Sequence, residues 1–156
     1  MRFRFLWIGE TKDPLLSELE NRYVQRLHRL FASEVVPVPE LQKKDRGQQA
    51  SQMAREARLV EEKLNPRSFL IVLDEKGKEY TSEELAAVLG GLMNRGIPEV
   101  TFVVGGYLGV PGAILDRADV KLALSRMTFP HELARVVLVE QIYRCASIIK
   151  GLPYHK

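Results

Sequence analysis

Residues 100–109 read VTFVVGGYLG, an apolar segment that runs directly into three glycines within five positions. Residues 100–104 have the composition of a buried β-strand, because a strand covered on both faces reads as a nearly continuous apolar run. Glycines allow a backbone to approach a ligand closely, since they carry no Cβ. The stretch therefore predicts a strand that ends in a ligand-binding loop. A tight turn without any ligand explains the glycines equally well at this point.

Further strands and helices alternate on both sides of this stretch. Apolar runs predict four more strands, at residues 3–8, 35–38, 69–73 and 120–124. Helix signals predict five helices. The first begins at Asp13 and Pro14, and the second covers residues 50–64. The third runs from the capping box of Thr81 and Glu84 to Gly96, a short fourth follows Pro111, and the fifth covers residues 131–150. A charged loop is predicted at residues 43–47 and a turn at residues 74–78. Strands that alternate with helices indicate an α/β fold with a mostly parallel sheet flanked by helices.

The bulk composition fits one folded domain over residues 1–156, since the chain is 46% hydrophobic and 28% charged. A net charge of +3 is weak for a dedicated nucleic-acid module, and we expect neither a DNA partner nor a membrane partner. The single cysteine, Cys145, excludes an internal disulfide. Together with the lack of a signal peptide or of an apolar span of about 20 residues, it predicts a cytoplasmic protein.

Three distant segments are expected to share one pocket. Ligands of parallel α/β sheets bind beyond the carboxyl ends of the strands. Leu73, Gly105 and Ser125 lie at or just past three of the predicted strand ends. The sequence therefore predicts that these positions meet at one edge of the sheet.

The motifs exclude several kinds of chemistry. The glycine spacing differs from the dinucleotide pattern at Tyr107, and the lysine of a phosphate-binding P-loop is missing. His28, His131, His155 and Cys145 do not have the spacing of a zinc site. No nucleophile elbow of the Gly-x-Ser-x-Gly type occurs either. We therefore predict no metal and no covalent nucleophile.

The helix predicted over residues 131–150 carries more apolar side chains than one face requires. A helix that is apolar nearly all round must be buried nearly all round. A second subunit would provide this cover, which predicts a homodimer. A helix central to its own domain is the alternative. Within it, Arg135 and Glu140 are expected to serve dimer packing or salt bridging, and Cys145 to be inert filler.

Five segments together resemble the ribosomal large subunit pseudouridine methyltransferase H family, which belongs to the SPOUT superfamily of knotted methyltransferases. They are residues 70–74, residues 104–109, residues 124–131, the run RVVLVEQIYR at residues 135–144, and the closing Pro-Tyr-His-Lys at residues 153–156. The resemblance runs nearly end to end in order and spacing. It implies a homodimer with a deep trefoil knot near its C-terminus. It also implies an enzyme that uses S-adenosylmethionine to methylate N3 of a pseudouridine in 23S rRNA, on assembled ribosomes.

The same resemblance implies which residues contact the cofactor. They are Leu73 after the third strand, Gly105 in the glycine loop, and Ser125, Arg126, Met127, Thr128, Phe129 and Pro130 in the second loop. Two alternatives stay open. A related enzyme would act on another RNA such as tRNA, and a ribosome-associated binding protein would carry a degenerate pocket.

Methyl transfer from a sulfonium needs no metal and no covalent intermediate, because the protein has only to align donor and acceptor and to exclude water. The acceptor nitrogen must lose a proton, so a base or an anion stabiliser is expected nearby. The resemblance favours His155 for this role, with Tyr154 orienting the base and Arg144 or Lys156 holding the anion or a phosphate. It also implies that the tail completes the partner's pocket, whereas a disordered tail is the alternative. His131 is expected to be a cap or packing residue.

Overall fold

The computed structural model describes residues 1–40 and 49–155, apart from the side chain of His155. Five strands and five α-helices alternate along the described chain. They are β1 (Arg2–Ile8), α1 (Pro14–His28), β2 (Ser33–Val38), α2 (Gln49–Lys63), β3 (Phe69–Glu79), α3 (Ser82–Asn94), β4 (Glu99–Val104), α4 (Gly112–Arg117), β5 (Val120–Ala123) and α5 (His131–Ile149), followed by a short 3-10 helix (Pro153–His155). The charged loop predicted at residues 43–47 lies outside the described residues.

The five strands form one parallel sheet in the order β2-β1-β4-β3-β5. This confirms the predicted α/β class. All six residues of β4 are buried, and β4 lies between β1 and β3 in the middle of the sheet. The strand from which the glycine loop departs is therefore the most enclosed element of the sheet.

The sheet is covered on both faces because successive side chains of a strand point to opposite sides. Phe3, Phe5 and Trp7 of β1 belong to a large core that α1, α3 and α5 close, and the Phe5 ring stacks on Phe102 of β4 at 5.3 Å. Leu6 and Ile8 point to a smaller core under α2 and α4. Burying each of these large side chains contributes about 1.5–3 kcal/mol. The alternation in β1 thus fixes a three-layer arrangement.

The predicted helix starts are confirmed. The Asp13 carboxylate accepts hydrogen bonds from the backbone N–H groups of Leu15 and Leu16, at 2.9 and 3.2 Å, and Pro14 is the first residue of α1. Thr81 and Glu84 form a reciprocal capping box at the start of α3. Both caps satisfy backbone donors that the first helical turn leaves unpaired.

The turn predicted at residues 74–78 is wrong, because β3 continues as an irregular strand to Glu79. A register shift lets β5 pair with both parts of β3, since Leu122 is aligned with Leu73 and again with Lys78. The backbones approach closely at Gly77, where a Cβ would lie 2.6 Å from the carbonyl oxygen of Lys121. Charged residues in this stretch concealed the strand in the sequence. The trefoil knot that the resemblance implies remains a prediction.

Every residue of α5 is buried or half-buried within the single chain. Helices α1 and α3 pack against it, and its buried residues join the large core. The chain itself therefore accounts for the apolar character of α5, as in the alternative of a helix central to its own domain. The homodimer stays a prediction. Among the described helices, none is both long and apolar enough to cross a membrane.

Candidate active site

A cavity of about 610 Å³ lies at the carboxyl edge of the sheet. The middle of β3, the ends of β4 and β5 and the start of α5 form its wall, so the three segments that the sequence predicted to meet do meet. Leu73, however, lies within β3 and not after the strand as predicted, because the strand continues to Glu79. Seven of the eight predicted cofactor residues line it: Leu73, Gly105, Ser125, Met127, Thr128, Phe129 and Pro130. The eighth, Arg126, is exposed and lies outside the described wall. Pockets for small molecules commonly have volumes of about 300–1,000 Å³.

The glycine loop, residues 105–110, folds back on itself beside this cavity. Gly109 has a φ of +80°, and its N–H donates a 3.0 Å hydrogen bond to the Gly106 carbonyl. A Cβ on Gly105 would lie 2.6 Å from the Gly109 carbonyl oxygen and 2.7 Å from the Val110 nitrogen. The missing side chain of Gly105 thus faces the loop's own backbone. The tight turn of the glycine loop is thus itself part of the cavity wall.

The second loop, residues 124–130, leaves apolar side chains open to a ligand. The Ser125 hydroxyl accepts a 3.0 Å hydrogen bond from the Met127 N–H and shapes the turn. Met127 is 75% exposed although it lines the cavity, and Phe129 is half-buried beside it. Pro130 precedes α5. His131 is the first residue of that helix and also lines the cavity. This loop offers a flexible thioether and a ring to a flat or apolar ligand group.

Arg135 is fully buried behind the cavity and binds its own chain, which corrects the expectation of dimer packing. Its guanidinium donates to the Ile8 carbonyl at 2.7 Å and to the Thr11 hydroxyl at 3.2 Å. Thr11 in turn donates to Glu20 at 2.7 Å, and Glu20 also accepts from the Trp7 indole at 2.8 Å. Burial lowers the pKa of Arg135, while the charges of Glu20, Glu132 and Glu40 act in the opposite direction. This buried network joins α5 to the end of β1.

Glu132, also missed by sequence analysis, fixes the start of α5. Its carboxylate accepts hydrogen bonds from the backbone N–H groups of Lys12 and Asp13, both at 3.1 Å. Burial raises the pKa of Glu132, but these two N–H groups and the nearby His131 and Arg135 lower it more, so the carboxylate stays charged. An acidic residue in the first turn of a predicted helix was the available signal.

The tail residues form a separate cluster. The Tyr154 hydroxyl donates to Glu140 at 3.2 Å, and Arg144 donates to the same carboxylate at 2.7 Å. The Arg26 guanidinium lies 5.2 Å from the centre of the Tyr154 ring. Burial, a hydrogen bond with Tyr23 and the charge of Glu140 raise the pKa of Tyr154. Glu140 therefore takes part in a salt bridge as predicted.

Within one chain, neither Tyr154 nor Arg144 lines the described cavity. Tyr154 packs against the helices, in contrast to the alternative of a disordered tail. His155 lies in the short 3-10 helix with its side chain outside the description, and Lys156 lies outside the described residues. The structure thus brings seven of the eight predicted cofactor residues together and places the tail cluster elsewhere.

A family profile described as "Predicted SPOUT methyltransferase" matches residues 1–155. The chain belongs to this SPOUT methyltransferase family. Curated relatives named "Ribosomal RNA large subunit methyltransferase H" agree with this membership over their whole length. The relative from Limosilactobacillus reuteri is 39% identical and the one from an Anaeromyxobacter species is 44% identical, each covering 100% of both chains.

Solved methyltransferase structures have the same fold as this SPOUT family member. A probable methyltransferase from Bordetella pertussis superposes with a TM-score of 0.56 at 13% identity, over 93% of this chain and 95% of its own. A probable methylase family protein from Haemophilus influenzae gives 0.55 at 13% identity, over 96% of this chain and 67% of its own. The identities are low, so these neighbours support the fold alone.

Proposed function

We propose that this chain transfers a methyl group from S-adenosylmethionine to N3 of a pseudouridine in 23S rRNA, on assembled ribosomes in the cytoplasm. The observation that carries the proposal is the cavity in which the glycine loop, the second loop and residues 73–75 of β3 meet. The names of the full-length relatives support ribosomal RNA of the large subunit as the substrate. The family supports methyl transfer as the reaction.

The residues of the cavity fit S-adenosylmethionine. Leu73, Met127 and Phe129 supply apolar surface for the adenine and the methionine chain, and the two loops present backbone N–H and C=O groups that can bind the adenine edge. When bound, the sulfonium supplies an electrophilic methyl group. The chain's task is then to align the donor with the acceptor nitrogen and to exclude water.

The tail supplies the groups that handle the acceptor base. In this proposal His155 accepts the N3 proton, Tyr154 orients the base, and Arg144 or Lys156 holds the anion or a phosphate. The hydrogen bond that Arg144 donates to the Glu140 carboxylate raises the pKa of Arg144, so this guanidinium remains positively charged. A cation at this point would stabilise the anion that forms when N3 loses its proton.

The active site is shared between the two subunits of a homodimer. The tail cluster of one chain does not reach the described wall of its own cavity, so a complete site combines the cavity of one subunit with the tail of the other. Mixing a cavity-deficient variant with a tail-deficient variant tests this arrangement. Random exchange of subunits should restore about a quarter of the wild-type activity, because half of the dimers then contain one intact site. Additive residual activities would contradict a shared site.

Labelled S-adenosylmethionine offered to ribosomes with and without the pseudouridine tests the reaction. We expect incorporation into ribosomes that carry the pseudouridine, and mass spectrometry should locate the methyl group on that nucleotide. Incorporation into purified tRNA but not into ribosomes would support the related enzyme. The binding protein would show no thermal shift with the cofactor, and its rRNA binding would survive a bulky substitution at Gly105.

A further inference from the structure

Glu40 contacts the glycine loop but does not line the main cavity. It follows β2 by two residues and is half-buried. Its carboxylate accepts a 2.9 Å hydrogen bond from the Tyr107 N–H. Tyr107 itself lines the main cavity, whereas Glu40 does not. Glu40 therefore acts on the loop without being placed to touch a ligand in that cavity.

Two glycines make room for this carboxylate. A Cβ on Gly9 would lie 3.0 Å from one Glu40 oxygen, and a Cβ on Gly106 would collide with the other. The Gly106 Cβ would also lie 2.9 Å from the Ile8 carbonyl oxygen. The end of β1, the end of β2 and the glycine loop are thus packed directly around Glu40.

Glu40 lies in the wall of a cavity other than the main one. A second cavity of about 420 Å³ lies beside the ends of β1 and β2, and its wall includes Glu40, Glu10 and Lys12. Tyr107, whose N–H donates to Glu40, belongs to the wall of the main cavity. A change in the position of Glu40 would therefore move the wall of the main cavity through Tyr107.

The charge of Glu40 is balanced from inside the protein. Glu40 is one of three carboxylates whose charges act on the buried Arg135. Arg135 donates to the Ile8 carbonyl, the same group that lies against Gly106. The Nε atom of Arg135 has no hydrogen-bond partner among the described residues. Arg135 and Glu40 therefore act on the same junction, where the end of β1 lies against the glycine loop.

We infer that Glu40 is a positioning residue that holds the glycine loop in its ligand-binding conformation and so sets the affinity of the main cavity for S-adenosylmethionine. The identity of this ligand rests on the proposed function. The effect of Glu40 on the loop itself does not depend on it. A loop rich in glycine has much conformational freedom to lose, and a charge-assisted hydrogen bond restricts it before the ligand arrives.

Three variants separate the hydrogen bond from the charge. Glu40→Ala removes both. Glu40→Gln keeps an oxygen that can accept the Tyr107 N–H and removes only the charge. Glu40→Asp keeps the charge but shortens the side chain, and it replaces Glu40→Ala if that variant fails to fold. Glu10→Ala is the matched control, because Glu10 is an exposed carboxylate in the wall of the same second cavity.

Hydrogen exchange of the Tyr107 amide, measured by NMR without any ligand, reports the loop directly. We expect exchange of the Tyr107 amide to be about tenfold faster in Glu40→Ala or Glu40→Asp, intermediate in Glu40→Gln, which keeps the acceptor and loses the charge, and close to the wild type in Glu10→Ala. Calorimetry with S-adenosylmethionine should show about tenfold weaker binding in Glu40→Ala or Glu40→Asp. With ribosomes as substrate, KM for the cofactor should rise by a similar factor while kcat changes less than about twofold.

Unchanged exchange and unchanged affinity in Glu40→Ala would overturn the inference, and so would equal effects in Glu10→Ala. A wild-type protein that binds no S-adenosylmethionine would contradict the proposed function instead. In that case the Tyr107 exchange rates alone decide whether Glu40 holds the loop.

Discussion

Substitution of Gly105 by alanine should disrupt the cavity through the loop backbone. The added methyl group would lie 2.6 Å from the Gly109 carbonyl oxygen and 2.7 Å from the Val110 nitrogen. Unstrained contacts of carbon lie at about 3.5 Å, so the loop must retreat by about 1 Å. Overpacking of this kind costs about 1–3 kcal/mol, which corresponds to about 5- to 150-fold weaker cofactor binding if this cost falls on the conformation that binds the cofactor.

Calorimetric titration with S-adenosylmethionine measures this effect, and Gly112→Ala is its matched control. A Cβ on Gly112 meets nothing within 4 Å, and this glycine is the first residue of α4. The control should bind the cofactor normally and melt at the same or a slightly higher temperature. Gly105→Ala should already show the full effect, because the first carbon makes the clash. Normal binding by Gly105→Ala together with lost binding by Gly105→Val would refute this reasoning, and would indicate that a side chain here fills the mouth of the cavity.

Three more predictions concern α5 and the tail. Burial raises the pKa of Cys145 to about 12, so a thiol reagent such as DTNB should leave this cysteine unmodified at pH 8 and should react with it only after unfolding in guanidinium. Rapid labelling of the native protein would contradict the burial of Cys145. Folding lowers the pKa of Glu132, so the charged carboxylate should stabilise the fold fully at pH 7, and this stabilisation should be lost as the pH falls through about 4 and below. Glu132→Gln should therefore melt at a lower temperature than the wild type at pH 7. A difference in melting temperature that persists at pH 2–3 would contradict this role of the Glu132 charge. Deletion of residues 154–156 should leave cofactor affinity intact, since no described residue of the tail lines the cavity, but should suppress methyl transfer; sustained turnover would remove the tail from the mechanism.

Local sequence signals predicted the elements that position the cavity. The apolar run into Gly105 identified the buried strand and its loop, and Asp13 and Thr81 identified two helix starts through side chains that accept backbone hydrogen bonds. These features depend on residues close together in the chain. The meeting of three segments followed from the rule that parallel strands share a carboxyl edge, although β3 continues past Leu73 and contributes strand residues to the cavity and not a loop.

The remaining features depend on contacts between distant segments. Arg135 resembles any charged residue of a helix until β1 is packed beside it and supplies the Ile8 carbonyl. Glu40 gains its role only because the strand order places β2 next to β1 and β1 next to β4. The continuation of β3 past Asp74 likewise requires β5 as a partner, since its charged residues favour no strand by themselves. Long-range pairing of this kind has no local pattern that a single sequence reveals.

The separation of the two groups of predicted residues bears on how the enzyme would be completed. The cavity is formed by loops at the carboxyl edge of the sheet, whereas Tyr154 is held by Glu140 and Tyr23, on the faces of α5 and α1. A tail that served its own cavity would have to leave these partners. A tail that serves a neighbouring chain can keep them, because the neighbour's cavity is brought to the cluster. The packing of Tyr154 against its own helices is therefore compatible with a shared active site, and it would pre-organise the residues that the second subunit contributes.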